Sequence, residues 1–407
     1  MKHTCLMCIL LFGTMIFITG CWNRIELNDI SIVVGSGVDI INKDTFALSD
    51  QIIVASRIHT AQGGGSTGAG GDQAFITVTA TGKSLLDAGH NMQSKLSRQL
   101  FFSHRQNIFI GETLAKYGLE KISDEYSRNP NTRLRSDIWV VKNNTALNLL
   151  KVSYPLESIP ALAILKTNKH LGGPAGMSLI DFLKTASSET SSPTLPVVEI
   201  VEEAASGRNS SDSKDQKNTT RTIKFAGRAV FDKQLKLVGY LSFTEALDRF
   251  WMSGRKRFYT LTGYIPEGEG TVTLDARKLK SKINTSISPD QKVNISVLLT
   301  AAGKLNENNT NLDLRASKNI KLVETALNKE LEKRIAKMIT KMQKLGVDVF
   351  RFDDHMHRQH PDVWKSLKND WQKKFKEADI SVKVEVSIRN TGLTGPALQL
   401  RKQEIVK

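Results

Sequence analysis

The tetrapeptide Ile18-Thr19-Gly20-Cys21, closing an apolar run, carries the most definite chemistry in this chain. Small residues before a cysteine form a lipobox, where a signal peptidase can cut and the thiol of Cys21 can take lipid. Lys2 and His3 give a short positive start, and Leu6 to Ile18 an apolar stretch too short for a typical spanning helix. Residues 1–20 are therefore read as a leader that is removed. Cys5 and Cys8 leave with it, so Cys21 becomes the sole cysteine and no disulfide can close within the remainder.

Two other clusters invite chemical readings. Thr81-Gly82-Lys83-Ser84 follows a strand and opens a helix, as a phosphate loop would. Thr77 stands where a full Walker loop needs its first glycine, so a plain strand-to-helix turn with Lys83 in solvent is preferred. His355, His357 and His360, beside Asp353 and Asp354, are the densest set of possible metal ligands. Their spacing matches no closed zinc motif, and solvated histidines on a turn entering Pro361 are preferred. No Gly-x-Ser-x-Gly elbow and no Ser-x-x-Lys with its companion motifs occurs, so a hydrolase would lack a nucleophile. The chain is read as a non-enzyme with no cofactor or metal.

The elements that would position these residues point to an α+β chain. Strand patterns cover Ile30 to Val38, Gln51 to Ile58, Ala74 to Ala80 and Asp137 to Lys142, with helices at Ser84 to Leu96 and Leu114 to Ser127. The second and third of these strands suggest a hairpin whose long tip is the glycine-rich stretch 63–71. Phe225 to Asp232 and Leu235 to Leu241 form another hairpin, followed by a helix at Thr244 to Met252. Strands are expected at Thr271 to Leu274, Lys282 to Ile287 and Lys292 to Ala301. A long amphipathic helix follows from Ser317 to Leu345, stopped by Gly346 and packed on the sheet. The last strand, Ile380 to Arg389, turns its alternate aliphatic residues inward. Trp364, Trp371 and Phe375 share one helical face, read as core packing with partner docking as the sharper alternative.

The polar run 206–222 has too few apolar residues to order itself and is read as a linker. The expected division is thus 1–20 leader, 21–205 N-terminal α+β domain, 206–222 linker, 223–270 middle domain, 271–395 C-terminal α+β domain and 396–407 tail. The formal charge of +16 falls to +15 when Lys2 leaves with the leader. An exported chain so basic suits an anionic lipid or wall surface better than nucleic acid. Arg255-Lys256-Arg257 and Lys373-Lys374-Phe375-Lys376 are read first as solvated faces.

Cys21-Trp22-Asn23-Arg24-Ile25-Glu26-Leu27 resembles the start of mature Ger(x)C-type lipoproteins, the C subunits of spore germinant receptors. The resemblance continues through Arg98 to His104, Asn107 to Glu112, Gly227 to Phe231, Leu237 to Leu241 and Leu345 to Phe350. It closes with Pro361, Trp364, Trp371 and Arg389 to Gly392. Arg351-Phe352-Asp353 departs from it, where the family tends to Gly-Phe-Gly, so a tight turn there is in question. The resemblance implies a three-domain α+β lipoprotein on the outer face of the inner spore membrane. It would be held by S-diacylglycerol and N-acyl groups on Cys21 and assembled with integral-membrane A and B subunits that respond to nutrients. It carries over no catalytic residue. A solute-binding lipoprotein feeding a transporter is the alternative, although no repeated βα lobes are visible.

Overall fold

A computed structural model describes residues 26–54, 74–152, 154, 157, 159–171, 176–204, 219–254, 258–392, 396–401 and 403–406. The leader, Cys21, the 63–71 stretch, residues 206–218 and Arg255-Lys256-Arg257 lie outside the described residues.

The chain opens with β1 (Ile30–Asn42), β2 (Thr45–Ile53), β3 (Phe75–Gly82), α1 (Leu85–Gln93), β4 (Gln99–Phe101) and β5 (Asn107–Gly111). Two short helices follow, α2 (Glu112–Tyr117) and α3 (Glu120–Arg128). The single helix expected there is broken at Gly118, whose φ of 126° no helix accommodates. Next come β6 (Asp137–Lys142), α4 (Ala146–Leu150), α5 (Pro160–His170), α6 (Leu179–Ala186), β7 (Thr194–Ala204), β8 (Thr219–Phe231) and β9 (Leu237–Leu241).

These strands make one mixed sheet in the order β3-β2-β1-β5-β6-β7-β8-β9, with β4 beside β1. The run β1-β5-β6-β7 is parallel, and its flanks are antiparallel. Helices cover both faces, so β5 is buried at every position and reads as a continuous apolar run rather than an alternation. Ile108 and Ile110 meet the layer holding α1, α2, α3 and α6, whereas Phe109, Trp139 and Val141 meet α4 and α5. The strand expected at 51–58 lies earlier, at Thr45–Ile53, with 55–58 outside the described residues, and it pairs with β3 from Phe46 with Gly82 to Ile53 with Phe75.

The second half holds α7 (Phe243–Met252), β10 (Phe258–Ile265), β11 (Gly270–Ile287), β12 (Val293–Asn308) and α8 (Ser317–Leu345). It ends with α9 (Phe352–Gln359), α10 (Pro361–Leu367), α11 (Trp371–Glu377) and β13 (Asp379–Asn390). The strands form a second sheet, β10-β11-β12-β13, antiparallel except for β12 with β13. Its inner face packs on α8 through Val323, Leu327, Leu331, Ile335, Met338 and Met342, the stripe the spacing predicts. Gly346 ends the helix at φ 72°, as expected of a left-handed cap.

Helix α8 also hydrogen-bonds the outer strands. Glu324, Asn328 and Glu332 accept from the backbone amides of Ile388, Val386 and Val384 at 2.7, 2.8 and 2.9 Å, and Glu330 accepts from Tyr264 at 3.0 Å. Four helical residues rise about 6.0 Å and two strand residues about 6.6 Å, so the two repeats stay in step for three contacts.

The expected domain divisions differ from this architecture. Residues 219–222, the end of the 206–222 run, already belong to β8, which pairs with β7 from Thr194 with Val230 to Ala204 with Thr219. The polar run thus connects two strands of one sheet. The expected middle domain, 223–270, is shared out: β8 and β9 join the first sheet and β10 the second. Helix α7 lies where they meet, with Trp251 and Met252 in a core that also takes in Val230 and Leu241. The 396–407 tail is not loose throughout, because Val406 bridges Leu312 and its carbonyl accepts from the amide of Asp313 at 2.9 Å.

Candidate functional site

Thr81-Gly82-Lys83-Ser84 makes the plain turn. Ser84 caps α1 by accepting from the amide of Asp87 at 3.1 Å, and Asp87 accepts from the amide of Lys83 at 2.8 Å. Lys83 is exposed. A phosphate would have to displace both caps.

The three histidines do not converge on one point. His360 Nε2 meets the carbonyl of Thr285 at 2.7 Å, and His357 stacks on Trp364 at 5.9 Å. His355 is half-buried, and burial followed by the charge of Arg358 lowers its pKa. Among the described residues no group of three His, Cys, Asp or Glu side chains is arranged to hold a metal.

Trp371 and Phe375 are fully buried and Trp364 nearly so, its ring 5.2 Å from that of Trp371. Core packing is therefore their role, and docking through these rings is closed to a partner. The Trp371 indole donates to Asp348 Oδ2 at 3.1 Å, and that carboxylate also accepts from the amides of Phe350 and Asp353. Asp353 in turn accepts from the hydroxyls of Thr190 and Ser191 at 2.6 and 2.5 Å. Burial, then the neighbouring Asp353 charge, pushes the Asp348 carboxyl upward. The residues that depart from the family pattern sit here. Arg351 adopts φ 65° and ψ 38°, so the turn survives with an arginine in a left-handed position. Asp353 supplies the link to the 190–191 loop.

The motif Gly227-Arg228 has a steric cause. Gly227 has φ 115°, and a Cβ there would come within 2.0 Å of the Leu241 carbonyl. Arg228, 2% exposed, donates to Thr194 Oγ1 and Thr194 O at 2.9 Å each and lies over Phe250 at 5.2 Å.

The motif from Arg98 to His104 borders a cavity of about 860 Å³ that sequence patterns did not disclose. One wall is α1, with Leu85 and Gly89; another is Leu100, Phe101 and Phe102; the third is α3, with Glu125 and Tyr126. Arg105, only 5% exposed, lines it. Its guanidinium lies over the rings of Phe102 and Tyr126 at 5.4 and 5.2 Å, and its Nε has no hydrogen-bond partner. Tyr126 Oη, Glu125 Oε2 and Asp50 Oδ2 are likewise buried without partners. Asp50 accepts from Ser36 Oγ at 2.6 Å; burial raises its pKa to about 6 against that bond and the Arg105 charge. Unpaired donors and acceptors in a desolvated, partly aromatic hollow suit a small polar ligand with an apolar body.

Two family descriptions match the chain: "Spore germination protein N-terminal domain" over residues 23–200 and "Spore germination B3/ GerAC like, C-terminal" over 226–392. It is 28% identical to spore germination protein KC of Bacillus subtilis (strain 168), over 97% of each chain. It is 22% identical to spore germination protein B3 of the same organism, over 95% of this chain and 97% of that one. The crystal structure of the GerBC protein shares the fold, with TM-score 0.55 and 18% identity over 88% of this chain and 97% of that one.

Proposed function

Because this chain belongs to the GerAC-like family of spore germination proteins, we propose that it is a lipid-anchored, non-catalytic subunit of a nutrient germinant receptor. The observation that carries the reading is the end-to-end match with germination proteins, starting two residues after the lipobox cysteine. On this reading Cys21 carries the diacylglyceryl and N-acyl groups. The body sits at the outer face of the inner spore membrane, beside integral-membrane A and B subunits. An excess of 57 Lys and Arg over 41 Asp and Glu favours residence at an anionic lipid surface. Among the described residues no helix is long and apolar enough to cross a membrane.

Cys21→Ala tests it. The protein should move from the membrane to the soluble fraction, and spores should lose nutrient-triggered germination while still responding to a non-nutrient trigger. A variant that stays membrane-bound and responds normally refutes the tether.

A further inference from the structure

We propose that the cavity under α1 is a binding site for a small organic carboxylate with a compact apolar group. It lies in the N-terminal sheet region, and the proposal does not depend on the germination role.

The anion end is set by Arg105. A guanidinium nine-tenths buried normally holds a carboxylate in a bidentate bond, since an uncompensated buried charge is costly. Here the guanidinium lies over two aromatic rings, its Nε is buried without a partner, and Arg105 lines the hollow. Its nearby countercharge, Asp50, spends its bonded oxygen on Ser36. The Tyr126 hydroxyl beside it is a second unpartnered donor, and burial keeps it protonated by pushing its pKa upward. The backbone of Arg105 is fixed by its amide donating to Phe102 O at 2.9 Å and its carbonyl accepting from Ser136 Oγ at 2.6 Å. The donors are therefore pre-positioned.

The apolar end is set by Leu48, Leu85, Leu100 and Phe101, and the volume lies within the ordinary range for small-molecule sites. Gly89 on α1 faces this space; a Cβ there would meet only Leu48 Cδ2, at 3.9 Å. Glu125 Oε2 is a buried, unpartnered carboxylate oxygen of a residue on the wall. It admits two sources of the same carboxylate: a plain acid, which leaves Glu125 unused, or an amino acid, whose ammonium would meet it.

Calorimetry on the full acylated chain in nanodiscs separates them, with empty nanodiscs as the blank and three probes of one carbon skeleton: 4-methylpentanoate, L-leucine and isopentylamine. The carboxylate probes should bind below about 1 mM and the amine should not. Tighter L-leucine names the amino acid source; tighter 4-methylpentanoate names the plain acid. Arg105→Lys, which keeps the charge but not the fork, should weaken binding about tenfold or more. Gly89→Leu leaves Arg105 untouched, fills the cavity and should abolish binding with the melting temperature retained. No heat from either carboxylate with folded protein, equal binding of the amine, or unchanged affinity in Gly89→Leu overturns the site. None of these readouts involves germination, so a failed site and a failed receptor role are told apart.

Discussion

Asp50 shows what a single buried carboxyl does to the pH response of this fold. Its pKa is raised to about 6, so the folded chain holds a proton that the unfolded chain releases near 4. Stability from this group is therefore full at low pH and falls as pH rises from about 4 to 6, by roughly 2–3 kcal/mol. Asp348 is shifted in the same direction and adds to the slope. Asp50→Asn should flatten that part of a urea-derived stability profile; an unchanged profile would show that Asp50 stays ionised in the fold. Neither Asp50 nor Arg105 was legible in the sequence, because a charged residue in a strand or turn gives no sign of burial until its neighbours across the sheet are known. Cys21 is read as the lipid acceptor from the residues just before it alone, and it lies outside the described residues. Arg351 lies between these cases: the departure from glycine is visible in sequence, but only the backbone shows that an arginine bears the left-handed conformation.

Among the elements, α8 and β13 were the most readable, since each keeps one unbroken period over many residues. Strand β11 was read as two pieces. A bulge at Lys278, with φ 53°, shifts its register between Arg277 and Lys280 and interrupts the alternation. Strands β4, β5, β7 and β10 were missed; β5 is buried at every position and so shows no alternation, and β10 ends beside the break assigned nearby. The bonds from α8 to β13 yield a prediction at this scale. Asn328→Ala leaves the Val386 amide without its acceptor and should cost about 1–3 kcal/mol. Amide exchange should accelerate at Val386 before the rest of β13; uniform exchange along the strand would count against the bond.

At the scale of the molecule, the two sheets are joined by a few buried polar contacts as well as by α7. The Ser192 amide donates to Asp348 O at 3.0 Å, Arg249 Nε donates to Val349 O at 2.7 Å, and Asp353 holds Thr190 and Ser191. Within α7, Asp248 takes a two-point bond from Arg334 at 2.8 Å and the Tyr259 hydroxyl at 3.1 Å, tying it to α8 and β10. Asp353→Ala should loosen the 188–193 loop, with faster exchange there and a loss of about 1–3 kcal/mol. Unchanged loop protection would assign the joint to apolar packing alone. The chain crosses between the sheets at α7, in a segment with ordinary helix composition.

The helix bonds along β13 also bear on assembly. An outer strand normally offers its amides to any extended segment that passes, and here α8 has already taken three of them. A partner subunit cannot lengthen the second sheet on that side by adding a strand. Among the described residues, backbone-to-backbone recruitment is left to the other outer strands, β3, β4, β9 and β10, the last with its Tyr264 amide already bonded to Glu330.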